Sequence, residues 1–180
     1  MAKFEIKVND TAVQAQLARL AKGGAALEPV FADIGEALKI RIDQCFAKQV
    51  DWDGQPWAKN EISTLQAYIR QRGGYSKKTG ALNAKGQKLT ANKKVLQGIT
   101  GALRLTIYWQ ATPAGLTIGS PMAYAAIHNF GGPFKAWGKT QLTMPQRQFF
   151  PVDPKGQLHP TAQTLITHRL QIHLNKLKDQ

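Results

Sequence analysis

The sequence predicts an α+β fold, a small antiparallel sheet packed against a long helix, with a C-terminal helix. Three observations predict it. Leu27, Phe31, Ile34, Leu38, Ile42 and Cys45 recur at steps of three and four, while Asp33, Glu36, Lys39 and Asp43 fall on the opposite face, the period of an amphipathic helix. Leu103, Leu105, Ile107 and Trp109 alternate with Arg104, Thr106, Tyr108 and Gln110, the period of a half-buried strand. Helical and strand patterns follow one another without the regular alternation of parallel βαβ units.

The elements are expected in this order. Phe4, Ile6 and Val8 form a first strand; Asn9-Asp10-Thr11 caps a short helix carrying Val13, Leu17 and Leu20, ended by Gly23-Gly24. Pro29 suits a first helical turn, where its missing N–H costs nothing, so the long helix spans about Pro29 to Gln49, roughly 30 Å. Asp51 to Trp57 is turn chemistry holding two tryptophans. A helix around Ser63 to Arg72 is followed by a mobile basic loop from Gly73 to Thr90, since that stretch has little apolar surface to offset its ordering entropy. A short helix near Leu96, Ile99 and Leu103 breaks at Gly101. Arg104 to Ser120 forms a hairpin turning at Thr112-Pro113-Ala114-Gly115. Pro121 opens a short helix through His128, a Gly/Pro-rich loop covers Gly132 to Thr143, and Gln148 to Val152 adds a strand. Leu158, Ala162, Leu165, Ile166, Leu170, His173 and Leu177 trace the C-terminal helix.

The bulk properties bound the function. The 180 residues, 43% hydrophobic and 19% charged, suit one domain with one core. No apolar run approaches the roughly 20 residues of a membrane span, and the N-terminus has no apolar signal region, so a protein made and used in a cytoplasm is expected, without a membrane. Cys45 is the single cysteine and lies on the apolar stripe of the long helix, where a buried inert thiol is expected.

No catalytic constellation is visible, and neither an enzyme nor a cofactor is expected. Gly132, Gly138, Lys139 and Thr140 nearly spell a phosphate-binding loop, but the spacing is one residue too long and Pro145 blocks the helix such a loop must open. His128, His159, His168 and His173 lack the same-face spacing of a metal motif, and one cysteine cannot complete a zinc site.

The net charge of +13 is the unusual property. Much of it lies between Lys59 and Lys94, where nine basic residues face one acid, Glu61. Either DNA or an acidic protein surface would accept it. No aromatic residue is interleaved with the cations between Lys77 and Lys94, and DNA sliding through a channel gains nothing from a tight grip, which favours an acidic protein surface.

Four segments form a more specific pattern: Asp53-Gly54-Gln55-Pro56-Trp57; Leu96 with Thr100-Gly101-Ala102-Leu103; Ala123 to Gly132, containing Tyr124, Ala125, His128, Phe130 and Gly131; and Pro145-Gln146-Arg147-Gln148-Phe149-Phe150. Each has a packing role. Trp57 should cap the end of the long helix, Thr100-Gly101 should turn the chain into the hairpin, Tyr124, Ile127 and Phe130 should pack a short helix on the sheet, and Gly131 should supply its left-handed C-cap. Arg147 is either a structural arginine, paired with an acid or with helix C-terminal carbonyls, or a subunit-contact residue.

In order and spacing these segments resemble the phage virion morphogenesis family, the Mu-like group that includes tail-completion proteins. The resemblance covers roughly Leu27 to Val152 and implies one virion-morphogenesis domain over residues 1–180; the long basic stretch between Trp57 and Leu96 departs from the family pattern, so its role does not carry over, and a basic, mobile insertion is expected at about 59–94. The resemblance implies a non-enzymatic structural protein of the virion, assembled in the host cytoplasm, acting in tail completion or head–tail joining as a ring-forming subunit. Its partners would be further copies of itself and phage tail or head–neck proteins, close to double-stranded DNA. Contact residues would then include Arg147, Phe134, Trp137, Lys77, Lys78, Lys85 and Lys88. The alternative is a basic nucleic-acid-binding module.

Overall fold

A computed structural model describes residues 4–5, 11–22, 26–98, 100–136 and 140–178. The predicted α+β class is what it shows. The long helix α2 (Leu27–Lys48) is the spine. Its stripe Val30, Phe31, Ile34, Leu38, Ile42, Cys45 and Phe46 is buried, as the three-and-four spacing requires. A three-stranded antiparallel sheet in the order β1-β3-β2 packs against it, built from β1 (Phe4–Glu5), β2 (Tyr108–Thr112) and β3 (Gly115–Ser120). Close approach is possible because α2 presents Gly35 beneath β2: a Cβ there would lie 2.7 Å from the Trp109 ring. Helices α1 (Thr11–Lys22) and α7 (Pro160–Lys178) pack on each other, and both contact α2. Asp33 of α2 faces Arg169 at 3.4 Å and His173 at 3.2 Å on α7, a polar contact at the edge of the helix–helix packing.

Several expectations need correction. The hairpin begins at Tyr108 instead of Arg104. Residues Ala102–Leu105 form a helical turn, α5, entered through Gly101 at φ 67°, so Leu103 is buried but Leu105 is 75% exposed and the alternation there is accidental. The short helix α6 is Ala125–Phe130. It buries Ala125 and Asn129, and Tyr124 lies outward, 44% exposed, instead of packing on the sheet. Gly131 ends α6 with the expected positive φ, 69°, but its ψ of −165° lies outside the left-handed helical region. The described residues of the expected Gly132–Thr143 loop are strands: β4 (Gly132–Ala136) and β5 (Thr140–Met144) pair antiparallel with Phe134 opposite Leu142. Gln148 to Val152 is not a strand; only Val152 forms an isolated bridge, with Leu158.

The basic stretch is also structured. Helix α3 (Ile62–Gln71) falls where it was expected, but the loop reading of Gly73 to Thr90 fails. Tyr75 bridges Leu82 across a tight turn, and α4 (Ala84–Asn92) follows, capped by Asn83, whose Oδ1 accepts from Gly86 N at 2.9 Å. Helix α4 packs through Gly86 on Gly74, in the turn that follows α3, where a Cβ on Gly86 would lie 2.0 Å from the Gly74 carbonyl oxygen. Backbone contact takes the place of the missing apolar core. Ile6, Val8, Asn9, Asp10, Gly23, Gly24, Ile99, Trp137, Gly138 and Lys139 lie outside the described residues.

Candidate assembly site

Three of the four motif segments converge on one point, residues 147–150, at the end of α2. The helix stops at Gln49, which takes φ 61° and turns the chain back. Its side chain pins a distant segment: Nε2 donates to Val95 O at 3.2 Å and Oε1 accepts from Val95 N, which anchors the stretch leading into Gly101 and Leu103. The turn that follows is tied by Asp51, whose carboxylate accepts from Asp53 N at 2.9 Å and Gln55 N at 2.8 Å, with Gly54 at φ 82°. This turn aims both tryptophans inward. Trp52, 1% exposed, donates from Nε1 to Phe149 O at 2.9 Å, and Trp57 donates to Gln148 O at 3.2 Å. Phe46 meets the Trp57 ring edge-on at 5.3 Å and Phe149 at 5.1 Å, so Trp57 does cap the end of α2.

From the other side, α6 supplies polar partners. Asn129, fully buried, accepts at Oδ1 from Phe149 N at 2.9 Å and Phe150 N at 2.7 Å. The backbone N–H of Arg147 donates to His128 O at 2.9 Å. These bonds explain why 147–150 joins no sheet: its backbone groups are held by side chains and by a helix end. Gly131 is tight against the same segment, since a Cβ there would lie 2.8 Å from Gln146 N.

Arg147 closes the cluster. It is 5% exposed and donates from Nε to Ala58 O at 2.9 Å and from Nη2 to Lys59 O at 3.0 Å, with Nη1 3.8 Å from Met144 Sδ. Burial draws its pKa below the ordinary arginine value, with Glu61 acting in the opposite sense. The geometry is that of a structural arginine, although its partners are carbonyls of the extended 58–59 segment and not of a helix end. It ties together the roots of two projections, the β4–β5 hairpin that ends at Met144 and the α3–α4 arm that follows Lys59. Burial and then the charge of Arg147 hold the His128 imidazole below its ordinary pKa.

The remaining candidate residues lie on the projections. Lys77, Lys78, Lys85 and Lys88 are exposed on the arm, and Phe134 is half-buried on the hairpin. The described residues lining two surface grooves offer little for chemistry. A groove of about 760 Å³ is bounded by α1, α2 and β3, including Leu17, Phe31, Leu38 and Leu116, and no ionisable side chain lines it. A groove of about 230 Å³ beside Gln49 has Lys94 and Arg104 as its ionisable residues. Burial pushes the Cys45 thiol up to about 11, so at neutral pH it is a protonated, unreactive group. Among the described residues no three of His, Cys, Asp and Glu stand close enough to share a metal ion, and no helix is long and apolar enough to cross a membrane.

The sequence signalled the tryptophans, Gly131 and Arg147 but not Asn129 and Gln49, whose roles depend on partners 20 and 46 residues away. No curated protein and no solved structure matches the chain. The model of one family does, across residues 8–171, a span that contains every motif segment and both projections. The chain therefore belongs to the phage virion morphogenesis family and has a structural, virion-assembly role.

Proposed function

We propose that the protein acts in tail completion or head–tail joining, as a non-enzymatic subunit of a homo-oligomeric ring. The observation that carries this reading is the cluster at Arg147. It spends most of the motif residues on holding a rigid core from which two projections extend, an arrangement suited to contacting other proteins and poorly suited to catalysis. The α+β core makes the contacts between copies, and repeated head-to-tail contacts close into a ring when the rotation permits. The β4–β5 hairpin reaches a neighbouring tail or neck protein. A lone two-stranded hairpin is marginally stable in water, and among the described residues no further strand pairs with either outer edge of this one, so a docked strand could add there. Phe134 and Leu142, opposite one another, give that contact an apolar element.

Size-exclusion chromatography with light scattering, with negative-stain images of the main peak, tests the proposal. A closed ring, alone or on adding isolated tails, is the expected result. A monomer that joins neither itself nor tails would contradict it.

A further inference from the structure

The α3–α4 arm carries a second inference, independent of whether the subunits form a ring. Its turn from Ser76 to Gly80 is well tied: Ser76 N donates to Ala81 O at 2.8 Å, Gly80 N donates to Ser76 O at 2.9 Å, and Ser76 Oγ accepts from Lys78 N at 3.3 Å. The turn therefore presents Lys77 and Lys78 at a fixed tip. Lys85 and Lys88 stand three residues apart on one side of α4. All four are exposed, and none makes an ion pair with a described residue.

Besides these lysines the arm carries Arg70 and Arg72, with the acid Glu61 at its root, and its neutral polar side chains are mostly Ser, Thr, Asn and Gln, types that can donate to phosphate oxygens. Apolar anchors are few. Ile69 is buried, and Leu82 and Ile62 are the large apolar residues of the arm that are exposed. The ring of Tyr68 is covered by two cations, Arg72 at 5.0 Å and Lys93 at 4.8 Å, so it offers no platform for an unpaired base.

These features decide between the two partners that the charge permits. The buried centre of a protein–protein interface is depleted in lysine and is built on clustered aromatic or aliphatic anchors, of which the arm exposes two large ones, Ile62 and Leu82. A duplex backbone interface is polar and strongly positive and needs no base stacking. We infer that the α3–α4 arm binds the phosphate backbone of double-stranded DNA without sequence preference, through Lys77, Lys78, Lys85 and Lys88. Such contacts exchange readily with counterions, so binding of this kind is reversible and depends strongly on salt.

The test is fluorescence anisotropy with the full chain, a short labelled duplex of arbitrary sequence and the matching single strand, over a salt series. Four phosphate contacts predict a loss of affinity on the order of a hundredfold between about 50 mM and about 200 mM salt. Replacing all four lysines by Gln should remove most of that slope, at roughly 0.9 per contact. A control with Lys22, Lys48, Lys155 and Lys176 replaced by Gln, which changes net charge equally on the exposed core, should keep it. An equal loss in both variants would mean diffuse attraction and overturn the assignment. So would tighter binding of the single strand, or binding of a polyglutamate chain in place of the duplex, which would return the arm to an acidic protein partner.

Discussion

The cluster at Arg147 and the arm carrying Lys85 use positive charge in opposite ways. In the cluster one guanidinium is buried, and carbonyl oxygens of Ala58 and Lys59 are its partners. In the arm four exposed ammonium groups make no ion pair with a described residue. The first arrangement is costly to disturb, because removing a buried donor leaves its acceptors without water or protein to replace it. The second is nearly free to disturb as far as folding is concerned, because solvent already satisfies the charge. Most of the residues by which the chain resembles its family belong to the first kind: Trp57, Arg147 and Phe149 are buried and Gly131 is pressed against the backbone. The pattern thus describes how the scaffold is held.

The largest effect should come from Arg147→Leu. Two carbonyl acceptors lose their donor, and a loss of about 2–4 kcal/mol in urea unfolding is expected. Arg147→Lys should recover part of it, since an ammonium cannot reproduce both arms of the planar fork. Gly86→Ala should act next and locally. The new Cβ meets the Gly74 carbonyl, so α4 should move away from the turn that follows α3 and amide exchange should quicken from Gly73 to Asn92, while the thermal midpoint of the core changes little.

A smaller, pH-dependent effect is expected from His128. Its pKa is lowered in the folded chain, so below the ordinary value of 6.5 the unfolded chain binds more protons and stability falls as pH falls, levelling off under the folded pKa. His128→Gln should flatten that acid-side decline relative to wild type, and urea midpoints measured across the range would show it. The smallest effect belongs to the arm. Replacing Lys77, Lys78, Lys85 and Lys88 together by Gln should leave unfolding stability within about 0.5 kcal/mol per site, typical of exposed positions. A large destabilisation there would erase the contrast between the two regions.

Regular elements that bury an apolar face were legible in the sequence. The α2 stripe, the Thr112–Gly115 turn and the C-terminal helix each follow from a local period or turn signal that the packing confirms. Helix α4 was not legible because Leu89 is the one large apolar residue in it, and its stability rests on Gly74 touching Gly86 and on the Asn83 cap. Residues 147–150 were misread for the opposite reason. Phe149 and Phe150 favour a strand locally, but Asn129 and the two indoles take the hydrogen bonds that a neighbouring strand would have supplied. At the candidate site the sequence marked the members individually. That Arg147 joins the roots of the hairpin and the arm depends on contacts across 88 and 89 residues, which no local pattern encodes.

The cluster at Arg147 holds both projections to the core. Hydrogen–deuterium exchange on Arg147→Lys, under conditions where it stays folded, tests it most directly. Faster exchange confined to the stretch around Ala58–Glu61 and to Met144–Phe150, with α2 and the β2–β3 hairpin unchanged, is the predicted result. Unchanged exchange at both roots, or uniform acceleration through α2 as well, would contradict the account.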